Sequence, residues 1–406
     1  SKLWFSESSL PKRPLKKWNI TEDFISHELI NSQVSVIYGR SENPCDLFKL
    51  YKHSILLGLD IFGSAFFMLT RYEEFVRLDR DQLDRFPATA SLAYQEGFLH
   101  RPIVDEYVEI LWACMKKLWP GLDRRPREFQ THVSHDVDIP YQYAFTGLPL
   151  LTRNLAGDLL KRRTPRQGLS RIHTWRRVKQ GNLAVDPFNT FDWIMSLSEK
   201  YGLTSAFYFI TGHTNPRKDG NYSIRHLLIR QLLRRIYQRG HEIGIHPSFN
   251  TYQDSVQTQK EFGILQQVCS EEGIQQSTWG GRQHFLRWCN PTTWQNWEVA
   301  GLSYDSTLSF ADAAGFRCGT CHEFPVFDLA TRQTLNLIER PLIVMECTVL
   351  DQRYMGLGQN IEDAFDYIKC LKDTCRQFNG NFTMLWHNHR FASSAERELY
   401  EQVLKT

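Results

Sequence analysis

Two acids one residue apart, Asp136 and Asp138, end the run Thr131-His-Val-Ser-His-Asp-Val-Asp-Ile-Pro140. On a strand, alternate residues share a face, so both carboxylates could reach one point at its C-terminal end. One can hold a metal ion while the other takes a proton from water, the division of labour in metal-assisted hydrolysis. A loop in which both acids merely cap the next turn is the competing structure. Four further stretches carry polar residues of the same kind. His246 lies in Gly240-His-Glu-Ile-Gly-Ile-His-Pro-Ser-Phe-Asn250, and Arg282 and His284 in Gly280-Gly-Arg-Gln-His284. Asp305 lies in Tyr304-Asp-Ser-Thr307, and His387 and His389 end Thr383-Met-Leu-Trp-His-Asn-His389. Any one alone reads as a satisfied histidine or a turn acid. Five at successive strand ends read as a site.

The elements that must position them begin near residue 127. Strands are expected at about 131–138, 204–210, 241–246, 277–281, 302–304, 342–349 and 382–387. Helices are expected at about 191–201, 224–239, 252–271, 292–299, 361–378 and 394–404, with Leu227, Leu228, Leu232 and Ile236 facing inward on the second. About seven strands, most followed by a helix, argue for a parallel sheet or barrel whose chemistry sits at the C-terminal strand ends. An irregular insertion interrupts the pattern at 147–181. Residues 1–125 form a first domain with an apolar stretch at 34–38 and a helix over 103–118, stopped by Pro120-Gly121. This first domain carries no paired acids, phosphate loop or metal spacing, so a structural or docking module is expected.

The chain has 406 residues, a net charge of +3 and nine cysteines. Near-neutrality gives no reason to expect nucleic acid as a partner. No run reaches the roughly 18–20 apolar residues of a membrane span, and the first residues lack a signal-peptide pattern. An odd number of scattered cysteines suits a reducing compartment, so the cytoplasm is expected.

The order Ser-His-Asp136-Val-Asp138, Gly-His-Glu-Ile-Gly-x-His246-Pro-Ser, Gly-Gly-Arg282, Tyr-Asp305-Ser and Leu-Trp-His387 resembles the five motifs of the polysaccharide deacetylases, the carbohydrate esterase family 4 type. The resemblance covers about residues 127–406, within a domain expected at 126–406. It implies an α/β fold: a distorted seven-stranded (β/α) barrel preceded by a smaller α/β domain, here similar to the accessory domain of members found near surface-polysaccharide genes. It also implies a divalent metal, Zn2+ first, and removal of an acyl group from a sugar or glycan that could be nucleotide- or lipid-linked. By the same resemblance Asp136 would be the general base, and Asp138 and His246 metal ligands. Arg282 would fix and charge-balance Asp136, Asp305 would back the far-side histidine, and His387 would protonate the leaving amine. His284, Arg317 and His389 are expected at the substrate.

One departure stands out. The family's second histidine, four residues after the first, is Asn250 here, and an amide is a poor zinc ligand beside imidazole. Asn250 itself, His389 or His135 could complete the site. A silent glycan-binding barrel and a hydrolase of another acyl or imide substrate are therefore kept as alternatives. Cys318-Gly-Thr-Cys321 has the C-x-x-C spacing but no second pair, and is expected as two reduced thiols in a substrate loop. Residues 153–179 hold nine Lys/Arg against one acid, Asp158, beside leucines. Either a solvated insertion, or a cationic lid over 148–179 touching a membrane surface or a pyrophosphate-linked sugar, would give that composition.

Overall fold

A computed structural model describes residues 6–20, 33–39, 48–161 and 164–406. Two small antiparallel pairs open the chain: β1 (Lys16–Asn19) with β2 (Gln33–Val36), and β3 (Phe48–Leu50) with β4 (Ile55–Leu57). Helices α1 (Ile61–Leu69), α2 (Tyr72–Val76), α3 (Leu92–Gln95) and α4 (Ile103–Leu118) follow. Then come β5 (Gln130–Val137), α5 (Leu148–Ala156), α6 (Pro165–Lys179), α7 (Phe191–Lys200), β6 (Ser205–Phe209), α8 (Leu227–Gln238), β7 (Glu242–Ile245), α9 (Ser255–Glu271) and β8 (Gly280–Gly281). The last third contains α10 (Thr292–Ala300), β9 (Tyr304–Asp305), β10 (Phe324–Asp328), β11 (Gln333–Glu339), β12 (Val344–Met345), α11 (Glu346–Leu350), α12 (Ile361–Gln377), β13 (Asn381–Leu385) and α13 (Ser394–Lys405).

The protein is α/β, with a large, mainly parallel sheet of nine strands and the two small N-terminal sheets. The seven expected strands correspond to β5 to β9, β12 and β13. The other two form the hairpin β10–β11, antiparallel within itself and parallel to β9 through β11. Pro325 obscures β10 in the sequence, because proline cannot donate to a ladder, and β10 accordingly takes the sheet edge. Three local expectations change. The expected strand at 342–349 stops at Met345 and becomes α11, whose first-turn Glu346 suits a helix start. The insertion at 147–181, expected to be irregular, holds the helices α5 and α6. Helix α8 buries Ile229, Leu232, Leu233 and Ile236, while Leu227 is exposed, so its inward face is turned from the expected one.

Two compact units make up the chain. The first joins residues 1–132, 252–255 and 285–384; the second joins 133–251, 256–284 and 385–406. In the first, Val34, Met68, Ile103, Tyr107 and Ile110 pack with Phe310 and Leu329 in one apolar core. The Tyr107 hydroxyl donates to the Ser35 carbonyl at 2.6 Å and so ties α4 to β2. In the second, β5, β6, β7 and β8 run parallel in that order, Asp136 beside Tyr208 and Ile245 beside Gly281. Their C-terminal ends therefore lie together, which is where an α/β sheet presents its chemistry.

Candidate functional site

Alternation along β5 sorts its polar residues into two sets. His135 points into an aromatic core: its ring stacks on Phe207 with centroids 5.0 Å apart, and Nδ1 lies 2.6 Å from the Trp386 carbonyl. That placement takes His135 out of the candidates for a third metal ligand. Ser134, Asp136 and Asp138 share the other face. Arg282, just past β8, reaches both nearer members: Nη1 donates to Asp136 Oδ1 at 2.9 Å and Nη2 to Ser134 Oγ at 3.0 Å. Ser134 was not among the residues expected at the site, although alternation puts it on the same face as Asp136.

Two imidazoles face Asp138. His246 Nε2 is 3.3 Å from Asp138 Oδ1, and His284 Nε2 is 3.5 Å from the same oxygen. Each ring has an acceptor behind it. His246 Nδ1 lies 2.6 Å from the Arg282 carbonyl, and His284 Nδ1 lies 3.2 Å from Asp219 Oδ1. Those partners place the ring protons on Nδ1 and leave the Nε2 lone pairs pointing inward. Asp138 Oδ1 is buried and has no hydrogen-bond partner. With both rings neutral, three lone pairs would meet at one point, an arrangement that a cation would relieve.

The residues present fit a metal. Asp138, His246 and His284 offer ligand atoms all within 4.8 Å of one another, and two imidazoles with one carboxylate are a common catalytic donor set. Charge agrees. Burial alone would raise the Asp138 carboxyl, yet His284, His246 and His387 hold it well below its ordinary range. Burial would lower the His246 ring, but Asp136 and Asp138 raise it. The point between these groups attracts positive charge.

Two loops hold this geometry. After β6, the Tyr222 hydroxyl donates to the Val137 carbonyl at 2.8 Å and accepts from Ile210 N at 2.7 Å. Gly220 passes so close to the Asp138 carbonyl that a Cβ there would collide with it. The same loop brings Asp219, whose carboxylate also accepts from Asn215 N and Phe249 N, both at 2.7 Å. Burial would raise Asp219, but the His284 ring and those amides lower it. Beyond His284 the chain turns at once, with left-handed φ of 61° at Phe285 and 54° at Leu286. Bulky residues rarely adopt that conformation, so the turn holds strain beside the site.

Comparison with known proteins adds the following. A family of unknown function, DUF7033, matches residues 1–120. Among curated proteins none matches the sequence. Among solved structures the chain is similar to a protein from Mycobacterium smegmatis named as a candidate polysaccharide deacetylase. That match has 16% identity and a TM-score of 0.43, covering 70% of this chain and 85% of the other. The chain is also similar to Puue allantoinase, at 11% identity and a TM-score of 0.41, covering 71% and 85%.

Of the residues singled out in the sequence, Asp136, Asp138, His246, Arg282, His284 and His387 come together in the second unit. His387 follows β13, with Nε2 3.6 Å from Asp138 Oδ2. Its loop is pinned by Asn388, whose amide donates to the Ile139 and Phe188 carbonyls at 3.1 and 3.0 Å. His389 sits beside His387, ring centroids 5.4 Å apart, and against Phe188. Asn250, one of the candidates for the third ligand, is exposed, and its amide donates to the Thr214 carbonyl at 3.1 Å. His284, expected at the substrate, stands in the third corner instead. Asp305 and Arg317 belong to the first unit. Asp305 Oδ1 accepts from Thr307 N at 2.9 Å. Arg317 is buried, with Nε donating to Glu74 at 3.0 Å and Nη1 to the Ser309 carbonyl at 2.6 Å. Its guanidinium serves a buried ion pair, not the anionic substrate expected of it. Asp219 escaped the sequence reading altogether, because Lys-Asp-Gly in a loop carries no local mark of a histidine partner.

Proposed function

We propose that the chain is a metal-dependent hydrolase that removes an acyl group, N-acetyl first, from a sugar or glycan intermediate of surface-polysaccharide synthesis. The observation that carries the chemistry is the meeting of His246 Nε2, His284 Nε2 and Asp138 Oδ1, with an acceptor behind each ring. Asp138, His246 and His284 would hold the ion, Zn2+ by the donor set, which when bound polarises an acyl oxygen and lowers the pKa of water. Asp136 is the proton acceptor. Arg282 occupies its Oδ1, so Oδ2 is the oxygen on the His246 side, 3.7 Å from Nε2. His387, at the other oxygen of Asp138, is the proton donor to the leaving nitrogen. Base and acid then act from different sides of the reacting carbon.

The sugar half of this proposal rests on the order of the sequence motifs. The complete donor set supports a working hydrolase over a silent glycan-binding barrel, since a barrel without chemistry has no use for converging lone pairs. The test is to strip the full chain with chelator, restore Zn2+, and follow metal content and acetate release from a panel of N-acetylated sugars. Release that returns with the ion supports the proposal. A chain that takes up no metal refutes it, and one that takes up metal but cleaves only other amides or imides refutes the sugar assignment alone.

A further inference from the structure

The helical pair α5 and α6 has an inner side that the fold uses and an outer side that it does not. Inside, Leu151, Gly168 and Val178 are buried. Asp158 is buried against Arg171 at 2.8 Å, and Trp175 Nε1 donates to the Thr146 carbonyl at 3.0 Å. Outside, Leu148 and Leu150 on α5, Leu160 in the turn that follows it and Leu169 on α6 are 61%, 44%, 83% and 69% exposed. On the same two helices Arg153, Arg166, Arg176, Arg177 and Lys179 are also exposed. The one acid between residues 147 and 181 is Asp158, and Arg171 already neutralises it. Every exposed formal charge among the described residues of this pair is therefore positive.

Exposed leucines alone would suit many partners, and exposed arginines alone would suit any polyanion. Their combination on one helical pair requires an occupant with an anionic surface and an apolar interior immediately behind it. We propose that α5 and α6 are a docking face for an anionic lipid bilayer, with Leu160 and Leu169 entering the acyl boundary and the arginines lying among the headgroups. This proposal does not depend on what the Asp138 site hydrolyses. Among the described residues no helix is long and apolar enough to cross a membrane, so attachment through this face would be peripheral and reversible.

The experiment is co-sedimentation of the full chain with vesicles of phosphatidylcholine alone or of phosphatidylcholine mixed with phosphatidylglycerol. Binding is expected only to the mixed vesicles, and it should weaken as salt shortens the screening length. Each basic side chain at an anionic surface contributes about fivefold, so Arg153→Gln/Arg176→Gln/Arg177→Gln together should weaken binding about 100-fold. Leu160→Glu/Leu169→Glu should weaken it at least as much, by removing the apolar part. Both variants alter exposed side chains, and unchanged thermal unfolding would show that they still fold. Failure of the parent chain to sediment with mixed vesicles overturns the proposal. So does undiminished binding by the leucine variant, which would leave a simple polyanion site. A chain that self-associates, ignores vesicles and becomes monomeric on leucine substitution would make this face an interface between copies, and would also overturn it.

Discussion

Asp138, His246 and His284 in the second unit bring three metal-type ligands within 4.8 Å of one another, and so do Asp105, Cys321 and His322 in the first. By distance they are alike. By protons they are opposite. At Asp105, one oxygen accepts from Thr320 Oγ1 at 2.7 Å, and the other accepts from Cys321 N at 2.9 Å and from the Cys321 thiol at 3.2 Å. Contact with Cys375 and burial push the Cys321 thiol well above its ordinary range, so it keeps its proton. Protons already do there what a cation would do. At Asp138, by contrast, the Arg282 carbonyl and Asp219 draw the ring protons outward. The comparison teaches that converging ligands make a metal site only when the groups behind them hold their protons away.

The largest effects should fall on the first cluster. Asp138→Asn is expected to lose both zinc and turnover, whereas Asp136→Asn should lower turnover by about 10²–10⁴ and retain the metal. Zinc content and acetate release, measured side by side, separate the two; equal metal loss in both would merge their roles. Asp219→Ala should weaken zinc binding by about 10–100-fold through His284, read by competition with a chromophoric chelator. If affinity is unchanged, the Asp219–His284 contact does not orient the ring.

The second cluster should respond in stability instead. Asp105→Asn is expected to cost about 1–3 kcal/mol in denaturant unfolding, because one of the two buried acceptor oxygens becomes an NH2, and to leave zinc content as it was. Loss of zinc would erase the contrast between the clusters. Burial raises the Asp105 carboxyl, against the opposing pull of His322, Thr320 and Cys321. A raised folded-state value means that the stability Asp105 contributes is complete below the ordinary carboxylate range and declines as pH rises through the raised value. The Asn variant should lack that decline. The smallest effect is expected at Asn250. Its side chain is exposed and bound to Thr214, so Asn250→Ala should shift stability by no more than about 0.5 kcal/mol and leave zinc affinity in place. A drop in affinity would return Asn250 to the site.

Much of this protein could be read from its sequence because the relevant physics is local. A period of two puts Asp136 and Asp138 on one face, whereas His135 stood as a candidate ligand until the structure placed it in an aromatic core. Alternating strands and helices bring strand ends together, so Asp136, His246, Arg282 and His387 could be named as one site before any coordinates. Only the tertiary structure decided the third corner. Whether His284 or Asn250 meets Asp138 depends on a two-residue strand, a strained turn after it, and a loop from β6 that carries Asp219 behind the ring. None of these has a periodicity, and all are set by contacts between residues far apart in the chain. The same holds for Asp305 and Arg317: the sequence supplied their chemistry, but which unit enclosed them was settled by packing.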